Sequence, residues 1–164
     1  MKNIYYSRFT TSLCEVVVSG NGESLTSLHL NTGSGAGPIE IPDHWIRDDS
    51  MFKEAVRQIN EYLAGERRNF DLEIAPEGTD FQKMVWAELC RIPWGETRTY
   101  REVAENIGKA KAFRAVGAAN SKNPLPLIIP CHRVVGSNGS LTGFAMGLDL
   151  KRKLLELEGI VCPS

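Results

Sequence analysis

The segment 123–133 constrains the fold more than any other part of this chain, because three prolines interrupt it. Pro124, Pro126 and Pro130 fix their own φ angles and lack a backbone N–H, so no helix interior or central strand runs through them. The residues between these prolines are apolar and favour burial. The segment therefore predicts a stiff connection that places Cys131 and His132 in a dry environment.

Cys131 stands directly beside His132, which makes its thiol a candidate nucleophile. An imidazole can accept the S–H proton and leave a thiolate, the reactive form of cysteine. The alternative is an inert core thiol, a common state of buried cysteine. The nucleophile hypothesis requires a sulfur atom that is both ionisable and reachable.

The four cysteines lie far apart without a C-x-x-C pair, which is typical of reduced thiols rather than a disulfide framework. Their spacing requires no metal site, although it leaves open one assembled from distant residues, and we expect none. The chain has no apolar run of membrane-spanning length and no secretory signal pattern. We expect a cytoplasmic protein, or a nuclear one in a eukaryote.

The net charge of −1 conceals two halves of opposite sign. Residues 1–80 contain 7 basic and 13 acidic side chains, whereas residues 81–164 contain 12 basic and 7 acidic ones. This asymmetry indicates that the second half meets a polyanion such as DNA. It is equally consistent with attraction between the two halves.

The first half has the pattern of a small sheet followed by a helix. Residues 5–9, 13–18 and 25–30 are rich in β-formers, and a Gly-Asn-Gly turn separates the last two. A flexible loop is expected at residues 33–38.

Ser50 is expected to cap a helix that ends at Gly65, with four apolar residues at helical spacing: Phe52, Val56, Ile59 and Leu63. This half contains no recognisable catalytic constellation. A boundary is expected at residues 76–79.

The second half reads as a set of short helices. One has an apolar stripe that stops before Pro93, formed by Phe81, Val85, Trp86 and Leu89. A capping box at Thr99–Glu102 begins another, which Gly108 ends. After a tight turn, a third runs from about Lys111 to Ser121, and the pair is typical of a helix-turn-helix. The last is expected to open at Asp149, to bury Leu150, Leu154 and Leu157, and to end at Gly159.

The candidate recognition helix has an unusual exposed face. That face consists of Ala110, Arg114, Gly117, Ala118 and Ser121. A helix that reads the major groove normally presents several polar side chains to base edges. Small residues and one arginine instead favour close, sequence-independent binding in the minor groove, with Arg114 filling the stack when a nucleotide is turned out. The alternative is tight helix packing with a surface ion pair at Arg114.

From residue 81 to 159 the chain resembles one family almost without gaps. The motifs are Arg114-Ala-Val-Gly-Ala-Ala-Asn120, Asn123-Pro-Leu-Pro126, Pro130-Cys-His-Arg133, the glycines Gly139, Gly143 and Gly147, and Leu154-Leu-Glu-Leu-Glu-Gly159. They are similar to those of the O6-alkylguanine-DNA alkyltransferases (methylated-DNA–protein-cysteine methyltransferases). The first half matches that family only by size and by its strand-then-helix order.

The resemblance implies DNA repair by an irreversible, single-turnover transfer. The alkyl group of O6-alkylguanine, and also of O4-alkylthymine, passes from duplex DNA to Cys131 after minor-groove binding and base flipping. The implied enzyme is a methylated-DNA–[protein]-cysteine S-methyltransferase that needs no cofactor. Its implied partner is double-stranded DNA containing O6-alkylguanine, and we expect a monomer without membrane association.

The implied fold is α/β with two domains. Residues 1–75 form an N-terminal structural domain with a small sheet and a helix, of ribonuclease H-like type. Residues 79–164 form a mostly helical, winged helix-turn-helix-like domain that binds DNA and accepts the alkyl group.

Glu158 is anomalous on physical grounds, since a carboxylate in the last turn of a helix opposes the macrodipole at a cost of about 0.3–1 kcal/mol. By resemblance it holds His132, which takes the proton of Cys131 through a water. Tyr100 is implied to protonate N3 of the leaving guanine and to crowd a phosphate, and Asn123 to brace the active-site turn. The plain alternatives are an exposed acid at Glu158, a core or interface tyrosine and an ordinary turn asparagine.

Further site residues follow from the resemblance. The base pocket is implied to contain Pro126, Val134, Phe144, Ala145 and Met146, with backbone groups of Cys131, Val134 and Ala145 reading the guanine edge. The implied DNA contacts are Arg114, Ala115, Gly117, Tyr100, Arg101, Lys109, Gln82 and Ser137. Any one of these basic residues could instead be solvated surface.

Three other functions agree less well with the sequence than alkyl transfer does. A binding-only relative would lack the reactive cysteine, which is present here as Cys131. A transcription regulator would need a more polar recognition face. A cysteine hydrolase would place its histidine far from the cysteine in sequence and would need an oxyanion site.

Met146 stands where other family members have glycine, and this difference generates a prediction. A long side chain there narrows the pocket, so methyl adducts should react better than benzyl adducts. The rates of methyl and benzyl substrates are compared in the parent protein and in Met146→Gly. Relief of the benzyl defect in Met146→Gly is expected, whereas an unchanged ratio of rates would refute the assignment.

Overall fold

β-Forming residues near the N-terminus build a four-stranded sheet in the computed structural model, which describes residues 2–33 and 39–162. Strands β1 (Tyr5–Thr10), β2 (Glu15–Gly20) and β3 (Leu25–Asn31) are antiparallel. A short β4 (Ile46–Arg47) pairs in parallel with β1, which gives the order β3-β2-β1-β4. The three predicted strands are confirmed, while the loop predicted at 33–38 lies outside the described residues apart from Gly33.

Helix α1 (Lys53–Leu63) follows a 3₁₀ turn at Asp49–Phe52. The prediction that Ser50 caps this helix is wrong, because the carboxylate of Asp48 accepts the Ser50 N–H at 3.1 Å and thereby caps the 3₁₀ turn. Gly65 follows the helix with φ +79°, as its position predicts. The inner face of α1 joins the core beneath the sheet through Ala55, Ile59 and Tyr62.

The second half contains four α-helices among its described residues: α2 (Asp80–Leu89), α3 (Tyr100–Asn106), α4 (Phe113–Ser121) and α5 (Leu148–Leu157). The capping box of Thr99 and Glu102 is confirmed. A 3₁₀ turn at Ala110–Ala112 joins α3 to α4, so the predicted third helix begins as 3₁₀. The Trp86 indole N–H donates to the Ala119 carbonyl at 2.9 Å and ties α2 to α4.

The start of α5 differs from its prediction. Gly147, with φ +98°, occupies the N-cap, and no side chain caps the helix. Asp149 lies in the first turn instead, where its charge favours the helix dipole. Leu150 and Leu154 are buried as expected, and Leu157 is half-buried.

Two short parallel strands position the site. Strand β5 (Arg98–Thr99) pairs with β6 (Val134–Val135). Because β5 runs into α3 and β6 follows Cys131 closely, this pairing sets the first turn of α3 beside the cysteine. A further hydrogen bond joins the N-terminal sheet to the segment 123–133, since the Leu28 N–H of β3 donates to the Pro124 carbonyl at 2.8 Å.

Across residues 2–33 and 39–162, no helix combines the length and the apolar character needed to cross a bilayer. The domain limits 1–75 and 79–164 stay a prediction.

Candidate active site

The segment 123–133 folds into a turn that Asn123 closes. The side-chain oxygen of Asn123 accepts the Leu125 N–H at 2.9 Å, and its amide donates to the Ile129 carbonyl at 2.8 Å. Leu127 adopts φ +73°, a left-handed conformation that costs a non-glycine residue about 1–3 kcal/mol. The surrounding hydrogen bonds hold that strained turn and lead the chain into the 3₁₀ turn Cys131–Arg133.

The thiol of Cys131 is deeply buried, with 1% of the residue exposed. Burial raises its pKa to about 11, although a hydrogen bond from Asn123 and the charge of Lys151 act in the opposite direction. At neutral pH the resting sulfur is therefore a thiol, and it lies in the dry environment that the sequence predicts. A thiolate can form only if a base takes the proton during reaction.

Glu158 occupies the C-cap of α5 and is 1% exposed, so the alternative of a surface acid is wrong. Arg133 donates to both of its oxygens, through Nε to Oε1 at 2.8 Å and through an Nη to Oε2 at 3.0 Å. The Gly95 N–H reaches Oε1 at 3.2 Å, while Tyr62 and His132 share Oε2 at 2.5 and 2.7 Å. Burial would raise the pKa of Glu158, but these hydrogen bonds prevail and lower it to about 2.

His132 is fully buried and uses Nε2 for Glu158. Because an ionised carboxylate only accepts hydrogen bonds, Nε2 carries a proton and Nδ1 is the basic nitrogen of the neutral ring. Within the described part of the chain, no group hydrogen-bonds to Nδ1. Burial lowers the pKa of His132 despite the neighbouring carboxylate, which keeps the imidazole neutral and available as a base.

Lys151 is fully buried and supplies a second cation that sequence reasoning missed. Its Nζ donates to the carbonyls of Val134 at 2.6 Å and Thr142 at 2.8 Å. Burial lowers the pKa of Lys151 to about 8, and the ammonium interacts electrostatically with Cys131. A positive charge here favours the thiolate over the thiol.

Tyr100 is half-buried at the first turn of α3. Its O–H donates to the Thr142 carbonyl at 3.0 Å, and burial raises its pKa. Its ring packs against Gly117, where a Cβ would sit 3.7 Å from the nearest ring atom. A thiolate at Cys131 would raise the pKa of Tyr100 further, because the two groups interact electrostatically.

The helix pair α3–α4 presents several predicted DNA contacts together. Arg101, Lys109, Arg114 and Ala115 are exposed there, and the guanidinium of Arg101 lies 4.7 Å from the ring centre of Phe113. Ala118 and Ser121 of α4 are also exposed.

The other two predicted contacts belong to different elements. Gln82 sits in the first turn of α2, where its side-chain oxygen accepts the Thr79 N–H at 2.9 Å. Its amide N–H₂ is still free to donate to a phosphate. Ser137 is exposed in the turn after β6.

The predicted base-pocket residues are placed at different depths. Pro126, Val134, Phe144 and Met146 are buried, whereas Ala145 is exposed. The Thr32 hydroxyl donates to the Met146 carbonyl at 3.1 Å, so the end of β3 supports this loop.

Tyr62 and Arg133 also escaped sequence reasoning. Arg133 belongs to the Pro130–Arg133 motif, but the motif alone predicts no role for it. The only sequence feature of Tyr62 is its position on the inner face of α1. No pattern in the first half of the sequence indicates that this residue contributes to a catalytic site. Among the described residues, no group of three or more His, Cys, Asp or Glu side chains is arranged to hold a metal ion.

Comparison with known proteins agrees with this architecture. Residues 4–76 match the family described as "6-O-methylguanine DNA methyltransferase, ribonuclease-like domain", and residues 80–160 match "6-O-methylguanine DNA methyltransferase, DNA binding domain". The methylated-DNA–protein-cysteine methyltransferase of Methanosarcina acetivorans is 51% identical over 95% of this chain and 99% of its own length. That of Mycobacterium tuberculosis is 44% identical, with 98% and 96% covered.

Solved structures give the same result. The M. tuberculosis O6-methylguanine methyltransferase superimposes with a TM-score of 0.86 at 44% identity, over 94% of this chain and 92% of that one. The M. tuberculosis OGT in complex with DNA matches with the same values. The Pyrococcus kodakaraensis enzyme, at 20% identity and a TM-score of 0.57, shares the fold. The chain belongs to the 6-O-methylguanine DNA methyltransferase family, and its α/β fold is that of the family.

The Glu158 ion-pair network predicts a specific acid dependence of stability. The folded-state pKa of about 2 lies below the ordinary 4.5, so Glu158 stabilises the fold above pH 4.5 and loses this contribution as the pH falls towards 2. The contribution is about 3 kcal/mol. In Glu158→Gln this acid dependence should disappear, and at pH 7 the unpaired Arg133 should cost about 3–5 kcal/mol. Urea unfolding between pH 2.5 and 7 measures both effects.

Glu156→Gln is the matched control, because Glu156 is exposed on the same helix. It should change the free energy of unfolding by less than about 0.5 kcal/mol. If the free energy of unfolding falls equally with pH in wild type and in Glu158→Gln, Glu158 does not stabilise the fold through its charge.

Proposed function

We propose that this protein repairs DNA by transferring the alkyl group of O6-alkylguanine, and of O4-alkylthymine, to Cys131. The observation that supports this most is the burial of three side chains together: the thiol of Cys131, the imidazole of His132 and the carboxylate of Glu158. The imidazole is the candidate base, and the carboxylate orients it by a hydrogen bond. The family relatives are named for the same transfer.

The relay moves one proton and one alkyl group. His132 Nδ1 accepts the S–H proton through a bridging water, and Glu158 stabilises the imidazolium through Nε2–H. Lys151 stabilises the charge that develops on sulfur. The sulfur attacks the alkyl carbon, an S–C bond forms, and the C–O6 bond breaks with its electron pair left on the base. Displacement at an sp³ carbon needs no oxyanion hole.

The departing guanine needs a proton to leave as a neutral base. We assign this donation to Tyr100, whose hydroxyl donates to the Thr142 carbonyl and interacts electrostatically with Cys131. A phenol bound to a carbonyl can turn to a ring nitrogen of an everted base and receive a replacement proton later. Asn123 holds the turn that presents the sulfur.

Access to a sulfur this deep requires that the base leave the duplex. Small residues on α4 allow the helix backbone to approach a groove closely, and Arg114 on the same face can occupy the vacated stack. Arg101 and Lys109 add phosphate contacts that carry no sequence information. Minor-groove binding by a helix-turn-helix and base flipping together explain how a nearly closed site meets its substrate.

The product is a thioether, and no step of the proposed mechanism removes the alkyl group from sulfur, so each molecule acts once. The mechanism calls for no cofactor. The base is held by Pro126, Val134, Phe144, Ala145 and Met146. Monomeric state and cytoplasmic location stay predictions.

Mass spectrometry of the peptide containing Cys131 tests the transfer. After incubation with a duplex carrying one O6-methylguanine, this peptide should gain the mass of one methylation, with at most one methyl group per protein molecule. The duplex should lose the lesion in equal amount.

Two variants serve as controls. Cys131→Ser should bind the duplex without gaining mass, whereas Cys90→Ser, altered at an exposed cysteine, should react like the wild type. Binding of the duplex by wild type without methylation of Cys131 would contradict the proposal and favour a binding-only protein.

A further inference from the structure

Tyr62 brings the N-terminal half of the chain into direct contact with the relay. It lies on α1, is 1% exposed, and donates its hydroxyl to Glu158 Oε2 at 2.5 Å. The same hydroxyl oxygen lies 3.3 Å from His132 Nε2. Among the described residues that donate to Glu158, the other three lie between positions 95 and 133.

The charge of Glu158 does not need this hydroxyl. Arg133 already neutralises the carboxylate with two hydrogen bonds, and Gly95 adds a backbone donor. The ring of Tyr62 packs against Phe70, with centroids 5.3 Å apart. A phenylalanine at position 62 would make the same apolar packing contact. What the hydroxyl adds is a hydrogen bond to the one oxygen that also holds His132.

Two donors that share an acceptor weaken each other, because each withdraws charge from the same lone-pair region. Burial and the charge of Glu158 raise the pKa of Tyr62 far above its usual range, so the phenol remains a donor wherever the protein is folded. It therefore competes permanently with His132 Nε2–H for Oε2.

We propose that Tyr62 is a positioning residue, whose hydroxyl sets how strongly Glu158 stabilises a proton on His132. This inference rests on the proposed function, since it concerns the base that deprotonates Cys131. The N-terminal half then sets the pH range of the reaction through one hydrogen bond.

The acid limb lies below about pH 7, because the pKa of His132 is lowered from its ordinary 6.5. In that range Lys151, with a pKa of about 8, stays protonated, so the other charges around His132 and Glu158 are constant and do not mask the effect. Burial lowers the pKa of His132, the carboxylate raises it, and the cations Arg133 and Lys151 lower it further. Cys131, the remaining titratable neighbour, stays protonated below about pH 11. Removing the Tyr62 hydroxyl strengthens Glu158 as an acceptor and raises the pKa of His132.

The test is the pH dependence of the rate of methyl transfer from an O6-methylguanine duplex. Because His132 must be neutral to act as a base, Tyr62→Phe should move the acid limb of the profile upward by about 0.5–1 pH unit. Below that limb the rate should fall about 3- to 10-fold relative to wild type, with a smaller change on the plateau.

Phe70→Leu is the matched control, because it disturbs the same ring packing and leaves the hydroxyl in place. It should leave the acid limb where it is, even if it lowers the unfolding midpoint. Replacement of Tyr62 by 3,5-difluorotyrosine keeps the shape and makes the phenol a stronger donor. This second variant should shift the acid limb of the pH profile to lower pH. It provides the test of the proposed role of Tyr62 if Tyr62→Phe does not fold.

The pKa of His132, followed by ¹⁵N NMR of the unreacted proteins, separates this inference from the proposed function. An upward shift in Tyr62→Phe, or a downward shift with difluorotyrosine, supports the role of Tyr62 whether or not methyl transfer occurs. Identical His132 titrations in all folded variants overturn it. Failure of the wild type to methylate Cys131 overturns the proposed function alone.

Discussion

The buried carboxylate of Glu158 is the interaction on which the rest of the site depends. An isolated charge in a protein interior is prohibitively costly, and this one is tolerated because Arg133, His132, Tyr62 and a backbone amide donate to it. Those donors come from α1, from the turn before β5 and from the 3₁₀ turn Cys131–Arg133. The carboxylate thus holds three parts of the chain together while it orients the imidazole.

In the proposed reaction, this arrangement keeps the cysteine as a thiol until the relay removes its proton. Burial holds the pKa of Cys131 near 11, whereas the same burial keeps His132 neutral and therefore basic. A neutral thiol beside a neutral base is protected from oxidants and small electrophiles in solution, since the thiolate is the reactive species. Lys151 supplies the positive charge that favours the thiolate once the proton leaves.

Local patterns in the sequence predicted much of this structure, and long-range pairing explains what they missed. The three strands and the capping box at Thr99 depend on neighbours within a few residues and were confirmed. The anomalous charge of Glu158 also pointed to the site. Tyr62 and Lys151 resembled ordinary helix residues, because the groups they contact lie at distant positions or in backbone carbonyls. The prediction of Ser50 as the cap was wrong because Asp48, two residues earlier, caps the 3₁₀ turn that precedes the helix.

The protonation state of His132 at neutral pH tests the central claim most directly, because every step assigned to the relay assumes it. Nitrogen-15 NMR of the imidazole distinguishes a protonated ring nitrogen from a bare one. A neutral ring with the proton on Nε2 and a bare Nδ1 is expected, together with loss of this tautomer preference in Glu158→Gln. A proton on Nδ1, or a doubly protonated ring at neutral pH, would contradict the account.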